Sequence, residues 1–254
     1  MKLKVNVYSI DGKVKKKIDL PEIFKTEPRE DIIRKAFRAT SLSKRQPYGS
    51  YPLAGMRRVG HNAGPGHGIA RLPRTSGSSV AVLLANFRGG KSAHSPRTDK
   101  VLFKGINRKE RKIAIASALS LAAVKEKVKD RGHRFNEELT FPVVVEDSIE
   151  TIKKTKDARA FLEAVGLIED VERAKEGTKI RAGRGKMRGR RKRVPKSLLV
   201  VGSSAQNLRP FSSLPGVDVA SKNSLSLMKL APGGVAGRLT VFTESALKQL
   251  GGGK

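Results

Sequence analysis

Pro142-Val-Val-Val145 is the stretch on which the fold turns. A strand with one wet face alternates apolar and polar residues, whereas this run does not alternate. An unbroken apolar run suits burial on both faces, as in a parallel sheet covered by helices. Leu198 to Val201 and Leu239 to Phe242 have the same character. Asp157 to Val165, stopped by Gly166, reads as a helix, and Thr243 caps a last helix running to Leu250. Strands alternating with helices predict an α/β layered domain. Its central sheet is mainly parallel, flanked by helices and joined by right-handed connections.

The preceding chain agrees. Val5, Val7 and Ser9–Ile10 alternate as a strand, Asp11-Gly12 is a hairpin turn signal, and Val14, Ile18 and Leu20 mark a return strand. Thr26 is expected to cap a helix whose first turn holds Glu27, Pro28 and Glu30, with Ile32, Ile33, Ala36 and Phe37 on one face. A further helix begins near Asn107, where Asn107 and Glu110 read as a capping box. Its expected stripe is Ile113, Ala116, Ser117, Leu121, Val124 and Val128, with Lys125, Lys127, Lys129 and Arg131 towards its end and Gly132 as its stop.

The 254 residues include 53 Lys and Arg against 23 Asp and Glu, a net charge of +30. An excess this large opposes compaction by self-repulsion and calls for a polyanion. Nucleic acid is the usual one, because each neutralised phosphate releases condensed counterions. A membrane is not supported: lysines break the first ten residues, so they do not read as a signal peptide. The longest apolar stretch, Ile113 to Val124, is too short for a bilayer and contains two serines. Without cysteine, disulfides, zinc ribbons and thiol catalysis are excluded together. The cytoplasm is the expected compartment.

The charge is concentrated. No acid occurs from Ile32 through Thr98, nor from Gly177 through Lys196, where half the residues are Lys or Arg. We read residues 1–40 and 105–254 as one discontinuous α/β domain, 41–104 as an extended basic arm inserted in it, and 177–196 as a second basic loop. The arm is punctuated by Gly and Pro, and only Val80 to Leu84 looks like a strand. So long a connection is expected to be functional and to become ordered on a polyanion. Its candidate RNA contacts are Lys44, Arg45, Arg57, Arg58, Arg88, Lys91 and Arg97 for phosphates, since a guanidinium fork suits phosphate oxygens. Tyr48, Tyr51 and Phe87 suit stacking on unpaired bases. In the second loop the candidates are Arg181, Arg184, Lys186, Arg188, Arg190, Arg191, Lys192 and Arg193. A bland solvated face is the competing reading there. His61, His67 and His94 lack the spacing and acidic partners of a metal site, so hydrogen bonding or stacking to RNA is their plainer role.

Enzymatic readings find no purchase. Gly64-Pro-Gly-His-Gly68 follows no strand and opens no helix, and no Gly-x-x-x-x-Gly-Lys-Ser/Thr or Gly-x-Ser-x-Gly run exists. Glu146-Asp147 follows a strand, but a polar strand end with a helix-capping acid explains it. We therefore expect no catalysis, cofactor, metal or small-molecule substrate. The rivals are an RNA-processing enzyme with a basic insertion and a protein repressing its own messenger.

One resemblance runs along nearly the whole chain. Arg45-Gln-Pro-Tyr48, Leu53-Ala-Gly55, Arg71-Leu-Pro-Arg74, Arg88-Gly-Gly90, Ser117-Ala-Leu119, Val143-Val-Val-Glu-Asp147, Arg181-Ala-Gly-Arg-Gly-Lys-Met-Arg188, Lys229-Leu-Ala-Pro-Gly-Gly234 and Thr243-Glu-Ser-Ala246 occur in one order. Together they resemble the family of the universal fourth protein of the large ribosomal subunit, in its archaeal and eukaryotic form. The resemblance implies a structural role on large-subunit ribosomal RNA, beside other ribosomal proteins. It also implies an arm reaching the nascent peptide in the exit tunnel. The tip would be Arg71, Leu72, Pro73, Arg74, Thr75, Ser76 and Gly77. The run Ser78-Ser-Val-Ala-Val-Leu-Leu84 is more apolar than the family's basic, glycine-rich pattern. The ending Gly251-Gly-Gly-Lys254, without a long basic extension, points to the archaeal type.

Overall fold

Strands β1 (Lys4–Tyr8) and β2 (Val14–Asp19) form the expected hairpin in a computed structural model that describes residues 4–251. Residues 252–254 of the glycine-rich ending lie outside the described residues. The chain divides between Ser41 and Leu42, and again between Lys104 and Gly105, into two compact units. After the hairpin come α1 (Glu30–Ser43), α2 (Arg108–Ala122), α3 (Lys125–Asp130), β3 (Val143–Val145), α4 (Thr155–Val165) and α5 (Ile168–Glu176). There follow β4 (Lys179–Ile180), β5 (Lys192–Arg193), β6 (Leu199–Gly202), α6 (Arg209–Ser212), β7 (Asp218–Ser221), α7 (Leu227–Leu230), β8 (Thr240–Thr243) and α8 (Glu244–Gly251).

The main sheet has the order β2-β1-β3-β8-β6-β7, and only the β1–β2 pairing is antiparallel. The valines of β3 are fully buried, as the unbroken run predicts. Alternate residues feed opposite cores. Val144, Leu199, Val201 and Phe242 pack with Ile33 of α1, Ala114 and Ala118 of α2 and Leu247 of α8. Val143, Val145, Val200 and Val241 pack with Phe161 and Leu162 of α4, Val171 of α5 and Phe211 of α6. Each fully buried large side chain contributes roughly 1.5–3 kcal/mol, which is why the period-two registers are held.

Several expectations need correction. Thr26 does not open α1: it closes a 3-10 turn over Glu22–Lys25, and its hydroxyl donates to the Ile23 carbonyl at 2.9 Å. Pro28 disfavours helical backbone at Glu27, so α1 opens at Glu30. The capping box at α2 is half made. Glu110 accepts from the Asn107 amide, while the Asn107 side chain makes no cap bond. That helix stops at Ala122, and its buried stripe is Ala114, Ser117, Ala118 and Leu121, leaving Ile113 and Val124 exposed. The inner face of α2 carries Ala114 and Ala118, packed with Phe24 of the 3-10 turn and Leu227 and Leu230 of α7, while the larger Ile113 faces outward. Val80 to Leu84 forms no strand, because Leu83 has φ +72°, which breaks an extended run. Helix α5 and edge strand β7 add to the elements expected from the sequence. β7 (Asp-Val-Ala-Ser) is polar at both ends and has one fully buried residue, a weak strand signal.

Buried charge knits the C-terminal half together. Asp170 is fully buried. It accepts from Ser197 Oγ at 2.7 Å and Arg173 Nε at 2.9 Å, and lies 3.0 Å from His133 Nδ1. Burial alone would raise its carboxyl, yet these partners outweigh that and hold it at about 2. Arg238 is also fully buried. Its guanidinium donates to the carbonyls of Ser197 (2.8 Å), Lys229 (2.7 Å), Leu198 (3.2 Å) and Gly216 (3.3 Å), and pairs with Asp218 at 2.7 Å. One side chain thus ties together the entries to β6, β7 and β8.

Candidate nucleic-acid interface

The second basic run folds into a small hairpin on its own backbone. Lys179 pairs with Arg193 and Ile180 with Lys192. Beyond them the Arg181 amide donates to the Arg191 carbonyl at 2.9 Å, and a 3-10 turn over Arg184–Arg188 ends at Gly189, φ +74°. Arg181 is half-buried, and its Nε donates to the Arg190 carbonyl at 3.0 Å, so this arginine braces the hairpin. Arg184, Lys186, Arg188, Arg190, Arg191, Lys192 and Arg193 line the hairpin, with Lys186 half-exposed or better like its neighbours, and Met187 stands 81% exposed among them. Among the described residues, none of these cations is paired with a carboxylate.

The unit Leu42–Lys104 has no strand or helix of its own beyond the last residues of α1. Turns and isolated bridges organise it. Arg74 bridges His61 on one side and Ala81 on the other, and the Val82 amide donates to the Pro73 carbonyl at 2.9 Å. This stitch closes a turn around Ser76 and Gly77. Arg71 is exposed, whereas Leu72, Pro73, Arg74 and Thr75 are half-buried. Arg74 is turned inward, with Nη1 donating to the Ser79 carbonyl at 2.6 Å. Val82 is a buried apolar side chain of this unit.

Lys44, Arg45, Tyr48, Arg57, Arg58, His61, His67, Arg88, Lys91, His94 and Arg97 are all exposed, and none is paired with a carboxylate among the described residues. Two aromatic–guanidinium pairs stand out. The Arg45 guanidinium lies 5.3 Å from the Tyr48 ring centroid, and Arg57 lies 4.7 Å from that of Tyr51. The sequence nominates these side chains only singly. A separation of six residues, as between Tyr51 and Arg57, matches no helix or strand period and gives no signal of contact. Phe87 is half-buried, while Phe103, which the sequence does not single out, is 63% exposed.

The residues considered for catalysis are occupied elsewhere. Glu146 pairs with Lys15 at 2.6 Å, and Asp147 accepts the Ser245 amide at 2.8 Å, capping α8. Glu150 accepts from the Ser203 amide at 2.7 Å, from the Ser203 hydroxyl and from Thr243 at 3.2 Å. Among the described residues, no group of three His, Asp or Glu side chains could hold a metal ion. None of their helices is long and apolar enough to cross a membrane.

What the chain carries, then, is two surfaces rich in unpaired cations on a polar, aromatic-dotted backbone. Its relatives fit that picture. The family model described as the ribosomal protein L4/L1 family matches residues 18–253. The large ribosomal subunit proteins uL4 of Thermoplasma volcanium and Thermoplasma acidophilum are each 62% identical over 250 residues, covering 98% of this chain and 98% of theirs. That of Methanocaldococcus jannaschii is 47% identical over 249 residues, again covering 98% of both. Likeness at this level, from end to end and to archaeal proteins in particular, leaves one conclusion: the chain belongs to the ribosomal protein L4/L1 family.

Proposed function

We propose that this protein is a structural constituent of the large ribosomal subunit that packs ribosomal RNA through two basic surfaces. The observation that carries the reading is the row of unpaired cations on both. Lys44 to Arg97 in the second unit and Arg184 to Arg193 in the hairpin meet no carboxylate among the described residues. Such rows repel themselves in isolation and are stabilised by phosphate. Its role is structural, not enzymatic, as the family implies, and its place is the cytoplasmic ribosome. Neighbouring large-subunit proteins complete its surroundings.

The finer part of the proposal concerns residues 71–77, as the tip of an arm lining the nascent-peptide tunnel. Drawn out along RNA, thirty residues reach at most roughly 100 Å at ~3.3 Å per residue, enough to carry a tip from a subunit's surface into its interior. Deleting Leu72 through Ser79 removes only Arg74 from the charge count, and that arginine is turned towards its own turn. Deletion strains should therefore still assemble large subunits, recovered through a high-salt cushion, while responding differently to stalling peptides and macrolides. Lost assembly, with an unaltered tunnel response in surviving particles, would make the tip an RNA anchor.

A further inference from the structure

Within the unit Leu42–Lys104 lies a cavity of about 480 Å³, lined by Tyr51, Arg57 and Arg58 together with the small residues Ala54, Gly55 and Gly89. Its volume falls in the range of small-ligand sites, about 300–1,000 Å³. Two successive turns build it: the Ala54 amide donates to the Tyr51 carbonyl and the Met56 amide to the Leu53 carbonyl, both at 2.9 Å. Gly55 has φ +75°, and a Cβ there would collide with the Gly90 carbonyl. Glycine at 55 thus lets this turn close against the Gly90 backbone, and Leu53 adds an apolar side chain to the lining.

The chemistry of the lining is selective. Arg57 covers one face of the Tyr51 ring at 4.7 Å, and its Nη2 donates to the Tyr51 hydroxyl at 2.9 Å. That double contact fixes the ring, which nevertheless stays 54% exposed. Arg58 stands exposed beside it, and no acid occurs from Ile32 through Thr98. An aromatic plate held from one side, two guanidinium groups and no carboxylate suit a ligand that is both planar and anionic. A carboxylate or phosphate alone would leave the plate unused. A paired base would offer no free face to it. We infer that this cavity is a single-nucleotide pocket: an unpaired base of an RNA strand stacks on the open face of Tyr51, and Arg57 and Arg58 hold its phosphate. The inference rests on the reading that this protein binds RNA, and assigns the second unit a specific target, a bulged or looped-out nucleotide.

The test uses the full-length protein and two end-labelled RNA hairpins closed by the same non-nucleotide linker and with equal numbers of phosphates, one carrying a single bulged adenosine and one fully paired. Anisotropy titrations across salt should show the bulged hairpin preferred by at least about fivefold, the lower end of what stacking one base contributes. Tyr51→Leu should abolish that preference while leaving the salt dependence unchanged. Tyr51→Phe, which keeps the ring, should retain it, and so should Phe103→Leu, an exposed ring outside the cavity. The pocket falls if Tyr51→Leu keeps the preference, if Phe103→Leu removes it equally, or if wild type binds both hairpins alike. AMP binding as tightly as the bulged hairpin would make this a small-molecule site and likewise overturn the assignment. Failure to bind either hairpin even at low salt would sink the RNA-binding reading itself, and the pocket with it.

Discussion

Arg238 and the arginines of the β4–β5 hairpin are the same residue put to opposite uses. Arg238 is sealed inside the α/β unit, where four carbonyls and Asp218 satisfy its donors. Arg184, Arg188 and Arg191 lie in the open with no carboxylate, on a hairpin that closes through its backbone and the single brace of Arg181. A buried guanidinium is tolerable only when nearly every donor is met, whereas an exposed one needs nothing from the fold. The lesson is that folding and the proposed RNA binding draw on separate sets of cations. The two sets should therefore be separable by mutation.

The sharpest break of that comparison is Arg238→Met. The variant keeps much of the volume but takes the guanidinium donors away from the carbonyls of Ser197, Leu198, Gly216 and Lys229, and deprives Asp218 of its buried partner. Removing one partner of a buried pair typically costs about 3–5 kcal/mol, a large share of a domain's total of about 5–15 kcal/mol. Guanidinium unfolding followed by circular dichroism should show that loss. A change under about 1 kcal/mol would mean that the buried cation is dispensable.

The next largest effect is on pH. Asp170 is held at about 2, against about 3.9 in an unfolded chain. Because its folded value is depressed, its contribution is fully present above about pH 4 and is lost as pH falls towards about 2. The gap from about 3.9 to about 2, at about 1.36 kcal/mol per pH unit, sets a ceiling of about 2.6 kcal/mol. Burial pushes neighbouring His133 below its usual value, so protonating it as pH drops below about 6.5 also favours unfolding. Unfolding free energies at pH 5, 4 and 3 should fall more steeply for wild type than for Asp170→Asn. Parallel curves would show that Asp170 is not the linked group.

Much of this division is legible in the order of the amino acids. The unbroken runs at Val143–Val145, Leu198–Val201 and Leu239–Phe242 announce strands buried on both faces, because burial is what removes alternation. The acid-free stretches announce the exposed cations, since charge composition survives any folding. What stays hidden are contacts between residues far apart along the chain. Nothing local says that Arg238 turns inward, because its acceptors come from Ser197, Leu198, Gly216 and Lys229. Nor does His133 announce Asp170, or Tyr51 announce Arg57. The phase of α2 escapes a reading that takes size as the guide to burial, because the face that packs on the 3-10 turn and α7 carries Ala114 and Ala118 instead.

The smallest expected effect on stability is also the most informative about function. Replacing Arg184, Arg188 and Arg191 together by alanine removes three exposed charges that pair with no carboxylate in the fold. Surface changes of this kind usually move stability within about 0.5 kcal/mol each, and relief of like-charge repulsion would act in the stabilising direction. Binding should respond quite differently. If each arginine neutralises one phosphate, the slope of log affinity against log salt on large-subunit RNA should flatten by roughly two to three. Arg181→Ala serves as the internal control. It removes the brace to the Arg190 carbonyl, a bond contributing about 0.5–1.5 kcal/mol, from a residue already half-buried. That variant should loosen the hairpin, seen as faster amide exchange at residues 181 and 190, while changing the salt slope by less than the triple variant does. An unchanged slope in the triple variant would show that the hairpin does not touch phosphate. An equal slope change in both would show that brace and contacts are not separate, and the comparison between inward and outward arginines would fail within the hairpin itself.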